Sequence, residues 1–203
     1  MPVLAYSYGM TKKRCSWVNP KNELYVQYHD EEWGVPVHDD NKLFEMLILD
    51  GAQAGLSWET ILRKRENYRR AFDDFDPQKI AQYDDAKIEE LLKNEGIVRN
   101  RLKIRSAVRN SMVFLEIQNE FGSFDQYIWG FVRGKEVHGN FKSSSEIPAT
   151  TALSDKVSKD LKARGMSFVG STIVYAFMQA IGIVNDHELS CFRFGEIRDG
   201  IRP

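Results

Sequence analysis

Residues 40–58 read DNKLFEMLILDGAQAGLSW. From Leu43 the stretch is almost continuously apolar, and Asp39 or Asp40 can cap its start, so the pattern predicts a helix over 40–54. One residue interrupts the apolar character. Asp50 follows Leu47-Ile48-Leu49 and precedes Gly51-Ala52-Gln53-Ala54-Gly55. A carboxylate set against apolar walls loses hydration and needs a partner or a task. The alternative is that it caps a turn or points to water at the helix end, where Gly51 permits a break. Beyond it, Ser57 can cap an amphipathic helix over 58–72.

Helix signals continue along the rest of the chain. Asp84 can open a helix over 85–94 that Gly96 ends. A long helix over 97–119 brings Ile104, Val108, Met112 and Leu115 near one face. A short aromatic helix (FDQYIWGFV) follows around 124–132. Residues 133–153, with Gly134, Gly139, the Ser143–Ser145 run and Pro148, read as a connecting loop. Ser154 can cap 155–164, with Gly165 as the stop. Residues 171–181 (STIVYAFMQAI) are apolar nearly all round, which predicts a buried helix ended by Gly182. Few segments alternate like strands. The reading is an all-α domain over 13–203, preceded by a loose extension over 1–12.

Composition narrows the class. The chain has 203 residues, 42% of them hydrophobic and 28% charged, near the average for globular proteins. No apolar run approaches the roughly 20 residues of a membrane span. The first residues lack the charged start and apolar core of a secretory signal. With two cysteines a disulfide scaffold is excluded, and a cytoplasmic location is expected. The net charge of −1 announces no nucleic-acid partner. Locally, Arg99, Arg101, Lys103, Arg105 and Arg109 form a stripe without an acid among them. It reads either as a phosphate-facing surface or as a solvated helix face neutralised from elsewhere.

Three constellations can carry chemistry. Cys15 lies fourteen positions before His29, and His187 lies four before Cys191. An i, i+4 pair shares one face of a helix, so His187 and Cys191 can bind one ion together. Two thiolates and two imidazoles suit zinc in a closed site. Buried apolar thiols, or a Cys15–Cys191 disulfide, are the alternatives. Next, Trp17, Tyr25, Tyr28, Trp33 and Trp58 flank the Asp50 helix in sequence. Large aromatics are usually core. Two or three of them around one carboxylate would instead suit a flat, positively charged heterocycle. Last, LKARGMSFVGSTIVY at 161–175 places a helix end at Gly165 and a helix start near Gly170. Such a start can bind phosphate, with Lys162 and Arg164 adding charge.

The strings RCSWV (14–18), LYVQYHDEEWGVP (24–36), LFEM (43–46), AGLSW (54–58), LRKRENYR (62–69), RGMSFVGSTIVY (164–175) and NDHELSC (185–191) together resemble the DNA-3-methyladenine glycosylase I family. The resemblance runs from Arg14 to about Cys191. It implies a helix–hairpin–helix glycosylase fold whose N- and C-terminal segments are joined by one structural zinc on Cys15, His29, His187 and Cys191. It implies a base pocket in which Tyr28 and Trp58 match the family's aromatics and Trp17, Tyr25 and Trp33 are neighbours. Asp50 falls on the base-binding and catalytic carboxylate. Gly55-Leu56 resembles the segment that enters the DNA stack, and Lys162, Arg164, Gly165 and Gly170 fall on the DNA-binding hairpin. The hairpin departs from the usual glycine-x-glycine core. Better-known members carry glutamate where this chain has Asp50, so its carboxylate reaches one methylene less far. Ala52 replaces one of two glutamines often found there, and Gln53 keeps the other.

The implied activity is hydrolysis of the N-glycosidic bond of 3-methyladenine in alkylated double-stranded DNA, by base flipping. The implied state is a monomer without an obligate protein partner. No lysine stands out as a Schiff-base nucleophile, which predicts a monofunctional enzyme. Loss of the ion is expected to loosen the terminal segments before it alters the pocket.

Overall fold

The structure, a computed structural model, describes residues 12–201. The extension expected over 1–12 lies outside them, apart from Lys12. In chain order the helices are α1 (Glu23–Glu31), α2 (Asp40–Gln53), α3 (Trp58–Ala71), α4 (Pro77–Ile80), α5 (Asp85–Lys93), α6 (Arg101–Phe121), α7 (Phe124–Gly130), α8 (Ala152–Ala163), α9 (Ser171–Ala180) and α10 (Phe192–Arg198). Two-residue strands β1 (Val137–His138) and β2 (Val184–Asn185) pair in parallel. The fold is thus mostly helical. Among the described residues no helix is long and apolar enough to cross a membrane.

Helix α2 sits at the centre, against α3, α6, α7 and α9. Every residue from Leu43 to Ala52 is buried. Both candidate caps are used, but on different helices. Asp39 accepts from the Lys42 N–H at 2.8 Å and opens α2. Asp40 instead accepts the N–H groups of Phe124 and Asp125, each at 2.8 Å, and so satisfies the first donors of α7. Ser57 caps α3 through the Thr60 N–H at 3.2 Å.

A partly buried ionic knot fixes α1, α2 and α3 relative to one another. The Arg65 guanidinium forks onto Glu32 with two 2.8 Å hydrogen bonds and reaches Glu45 at 2.5 Å. Burial alone would raise the two carboxyls, yet Arg65 holds both below their ordinary value. The three helices so joined carry Tyr28, Asp50 and Trp58.

Several sequence expectations need correction. Helix α6 starts at Arg101, capped by Asn100, rather than at residue 97. Its buried face runs through Ile104, Ala107, Ser111, Phe114 and Ile117, whereas Met112 is 47% exposed. Eight residues on from Ile104, Met112 has rotated about 80° around the axis, to the edge of the stripe. The basic stripe divides: Arg99 pairs with Glu95 at 3.5 Å, Arg101 with Glu89 at 2.5 Å and Arg105 with Asp85 at 3.1 Å, whereas Lys103 and Arg109 turn to backbone carbonyls. The loop over 133–153 holds β1 and a 3-10 turn at Ser144–Glu146.

Helix α8 is capped by Thr151, not Ser154. Ser154 is the third helical residue, and its Oγ accepts from the Thr151 N–H at 2.8 Å, completing a reciprocal capping box. Thr151→Ala is therefore expected to cost about 1 kcal/mol, a fall of about 2–4 °C in melting temperature, readable by calorimetry.

Candidate functional site

A cavity of about 320 Å³ opens between α1, α2, α3 and α9. Trp17, Tyr25, Tyr28, Trp33, Asp50 and Trp58 all line it, so the structure brings together the whole aromatic set and the carboxylate singled out in the sequence. The volume lies at the small end of ligand pockets, about 300–1,000 Å³, and suits a single heterocycle. Tyr28 and Trp58 face each other with ring centroids 5.2 Å apart and planes tilted by 47°. Trp17 stands edge-on to Tyr25 at 5.2 Å and to Trp33 at 5.0 Å.

Asp50 belongs to the cavity wall and not to a solvated helix end. It is 3% exposed, and its Oδ2 has no hydrogen-bond partner. Burial pushes its carboxyl well above the ordinary value of 3.8, and no cation among the described residues counters the shift. The neighbouring Tyr28 hydroxyl is pushed up as well, first by burial and then by the Asp50 charge. Trp58 Nε1 is a second buried polar atom without a partner. An acceptor and a donor left unpaired in one cavity mark a place for a polar ligand edge.

Gln53, noted in the sequence as the retained glutamine, also lines the cavity, and Ser144, Ile147, Ala176 and Gln179, which sequence reasoning missed, complete it. Ser144 and Ile147 come from the segment read only as a loop, and no local signal ties that loop to Asp50. Glu188 holds it there: one carboxylate oxygen accepts from the Ser16 N–H at 2.8 Å and from the Ser144 N–H at 3.1 Å.

Behind the aromatic wall, Cys15, His29, His187 and Cys191 are all buried, with ligand atoms within 4.8 Å of one another. Cys191 Sγ lies 3.4 Å from His29 Nε2, and Cys15 Sγ lies 3.4 Å from His187 Nδ1. The remaining ring nitrogens are already committed. His29 Nδ1 meets Asp30 at 2.7 Å, and His187 Nε2 meets the Trp33 carbonyl at 2.8 Å. Those outer bonds set the tautomers so that the free lone pairs face the sulfurs, which is how metal-ligating histidines are oriented. Both cysteines are free of a disulfide. The neighbouring Cys15 sulfur, with His187 and His29, holds the Cys191 thiol below its ordinary value. The donor set fits a metal ion.

The helix expected to carry His187 and Cys191 is absent. His187 lies in the extended run after β2, and Cys191 caps α10. A tight turn joins them, closed by the Cys191 N–H on the Glu188 carbonyl at 2.7 Å.

The candidate DNA-facing residues fall on two loops. Gly55 adopts φ +76°, a conformation open to glycine, and presents Leu56, which is 41% exposed. In the hairpin between α8 and α9, Gly165 has φ +103° and Gly170 caps α9 without any side-chain hydrogen bond. The first N–H groups of α9 are thus left to an outside acceptor. Lys162 is exposed. Arg164 differs from the expectation of a free charge. Its guanidinium pairs with Asp160 at 2.8 Å and Glu120 at 2.6 Å and lies over the rings of Phe121 and Tyr127.

Fold and site together define a helical protein with an open, aromatic-lined cavity around one buried carboxylate. The profile of the methyladenine glycosylase family matches residues 17–194. DNA-3-methyladenine glycosylase 1 of Escherichia coli (strain K12) is 48% identical over 179 residues, covering 88% of this chain and 95% of the relative. A crystal structure of a 3-methyladenine DNA glycosylase I superimposes with a TM-score of 0.86 at 49% identity, covering 89% of this chain and 98% of the other. A tyrosine-to-phenylalanine variant of such an enzyme, solved with 3-methyladenine, gives a TM-score of 0.85 at 35% identity, covering 88% and 96%. The chain belongs to the methyladenine glycosylase family.

Proposed function

We propose that this chain is a DNA repair glycosylase that hydrolyses the N-glycosidic bond of 3-methyladenine in alkylated duplex DNA and releases the free base. The observation that carries the reading is the unpartnered Asp50 oxygen in an aromatic cavity. Methylation at N3 makes the nucleobase cationic. A cation stacked on Trp58 and Tyr28 meets a carboxylate that lacks any other counter-charge. The exocyclic amine gives Asp50 a donor, and a ring nitrogen can accept from Trp58 Nε1. Neutral adenine offers the same edge without the charge, so it is bound less well.

Chemistry follows from the same charge. A cationic base leaves as a neutral molecule, so no strong acid is needed at the leaving group. Asp50 holds the methylated form and stabilises positive charge growing on the sugar, while water supplies the new oxygen. Among the described residues that line the cavity there is no lysine, in keeping with a monofunctional enzyme. Leu56, on its glycine-hinged loop, fills the space the flipped nucleotide leaves. Lys162, Gly165 and Gly170 form the phosphate-facing rim, and Arg164 shapes the hairpin through Glu120 and Asp160.

One zinc ion is assigned to Cys15, His29, His187 and Cys191. Two thiolates and two imidazoles fill a tetrahedral site and leave no open position, so the ion is structural. The cavity is complete within one chain, which suits a monomer.

Incubation with methylated duplex DNA should release 3-methyladenine, identified by chromatography, and leave the strand intact until alkali is added. A protein that binds alkylated duplex without releasing base would overturn the reading.

A further inference from the structure

Helix α6 holds both DNA-facing loops from one side. Near its start, the Lys103 ammonium donates to the carbonyls of Ala52 at 2.8 Å and Ala54 at 2.6 Å. These are the last turn of α2 and the residue before Gly55, and a cation there completes the orphan carbonyls of the helix end. Two turns further on, Asn110 is buried and grips the hairpin backbone twice. Its Nδ2 donates to the Ser167 carbonyl and its Oδ1 accepts the Ser167 N–H, both at 2.9 Å. Arg109 donates to the Gly165 carbonyl beside it. Seven residues separate Lys103 from Asn110, about 10.5 Å along a rigid rod. The two held segments lie side by side: a Cβ built on Gly51 would come within 3.5 Å of Phe168.

We infer that α6 is the brace that sets the spacing between the loop entering the duplex and the hairpin holding its backbone, with Lys103 and Asn110 as positioning residues. The inference rests on the assignment of Leu56 as the entering residue. Leu56 has little holding it otherwise. Its N–H bonds to the Gln53 carbonyl at 2.6 Å, and nothing lies within 4 Å of a Cβ built on Gly55. Without Lys103 the loop keeps its sequence but loses its fixed height above the hairpin.

Lys103→Met preserves length and removes the donors. It is expected to lower kcat/KM on methylated duplex about tenfold to a hundredfold, the size of effect a small misplacement produces. Binding of free 3-methyladenine, followed by tryptophan fluorescence, should be unchanged, because the cavity wall is intact. Lys103→Arg keeps N–H donors and should recover most of the activity. Leu56→Ala is measured alongside. Impaired Leu56→Ala with normal Lys103→Met excision overturns the brace. Equal losses of free-base affinity and excision in Lys103→Met also overturn it, since Lys103 then acts on the cavity. Normal excision by Leu56→Ala overturns the loop assignment and the brace with it.

Discussion

Asp50→Asn should make the protein more stable at neutral pH and far less active. The wild-type carboxyl is buried without a cation, and its value in the folded protein is raised well above 3.8. A raised value means that the folded state favours the protonated form. The stability this contributes is complete below the unfolded value and is lost as pH rises toward the folded one. Each pH unit across that window costs about 1.4 kcal/mol. Asparagine does not titrate, so the two proteins should melt together near pH 3 and diverge above pH 4. By pH 7 the variant should melt higher. Equal melting temperatures at both pH values would show that Asp50 is ionised and satisfied, against the geometry.

Activity should move the other way. The anion is the form that meets a cationic base, so wild-type kcat/KM should fall as pH drops through the raised value of Asp50. The midpoint of that fall lies above the ordinary carboxylate range. Asparagine keeps the shape and a carbonyl oxygen but loses the charge, and the expected loss is about 10²–10³ in kcat, with no such pH dependence. Base release from methylated DNA across pH 5–9 measures both effects. An Asp50→Asn enzyme that retains full turnover would remove the carboxylate from the mechanism.

How far the sequence alone reaches is clearest at particular residues. Asp50 and its five aromatic companions were legible because each sits in a short string of unusual composition, and they meet because α1, α2 and α3 are consecutive. The caps Asp39, Ser57 and Asp84 were legible because capping is a local hydrogen bond. Non-local partners were not. Nothing near Ser144 in sequence points to Glu188, forty-four positions away, yet that bond brings Ser144 and Ile147 to the cavity. No local signal marks Arg65 within its amphipathic helix, because its partner Glu45 lies twenty residues back on another helix. The i, i+4 spacing of His187 and Cys191 suggested a helix, but a turn closes the same distance. Arg164 counted as a free charge only until Glu120 and Asp160 were in place.

Removing the proposed zinc should collapse the cavity wall together with the terminal segments, and not after them. The sequence suggested an order of events, with ends loosening first, because the four ligands are divided between the two ends of the chain. The structure places those ligands against the cavity itself. Trp33 packs edge-on to His187 at 4.6 Å, and Trp17 packs edge-on to His29 at 5.2 Å. Both tryptophans line the cavity. Glu188, next to His187, anchors Ser144. Without the ion, two buried sulfurs and two imidazoles face one another with no cation to balance them, and that arrangement is costly in an apolar interior. Metal binding at such a site is linked directly to folding. The remaining helical core does not depend on it, so the expected loss is partial, about 5 kcal/mol, which is about 10–20 °C in melting temperature. Cys15→Ala and chelation of the wild type should give the same fall. Binding of free 3-methyladenine should weaken in step with metal content, and readdition of zinc should restore both. A chelated protein that melts as before, or one that melts early yet binds the base at full affinity, would separate the ion from the cavity wall and show that Trp17 and Trp33 are held by packing alone.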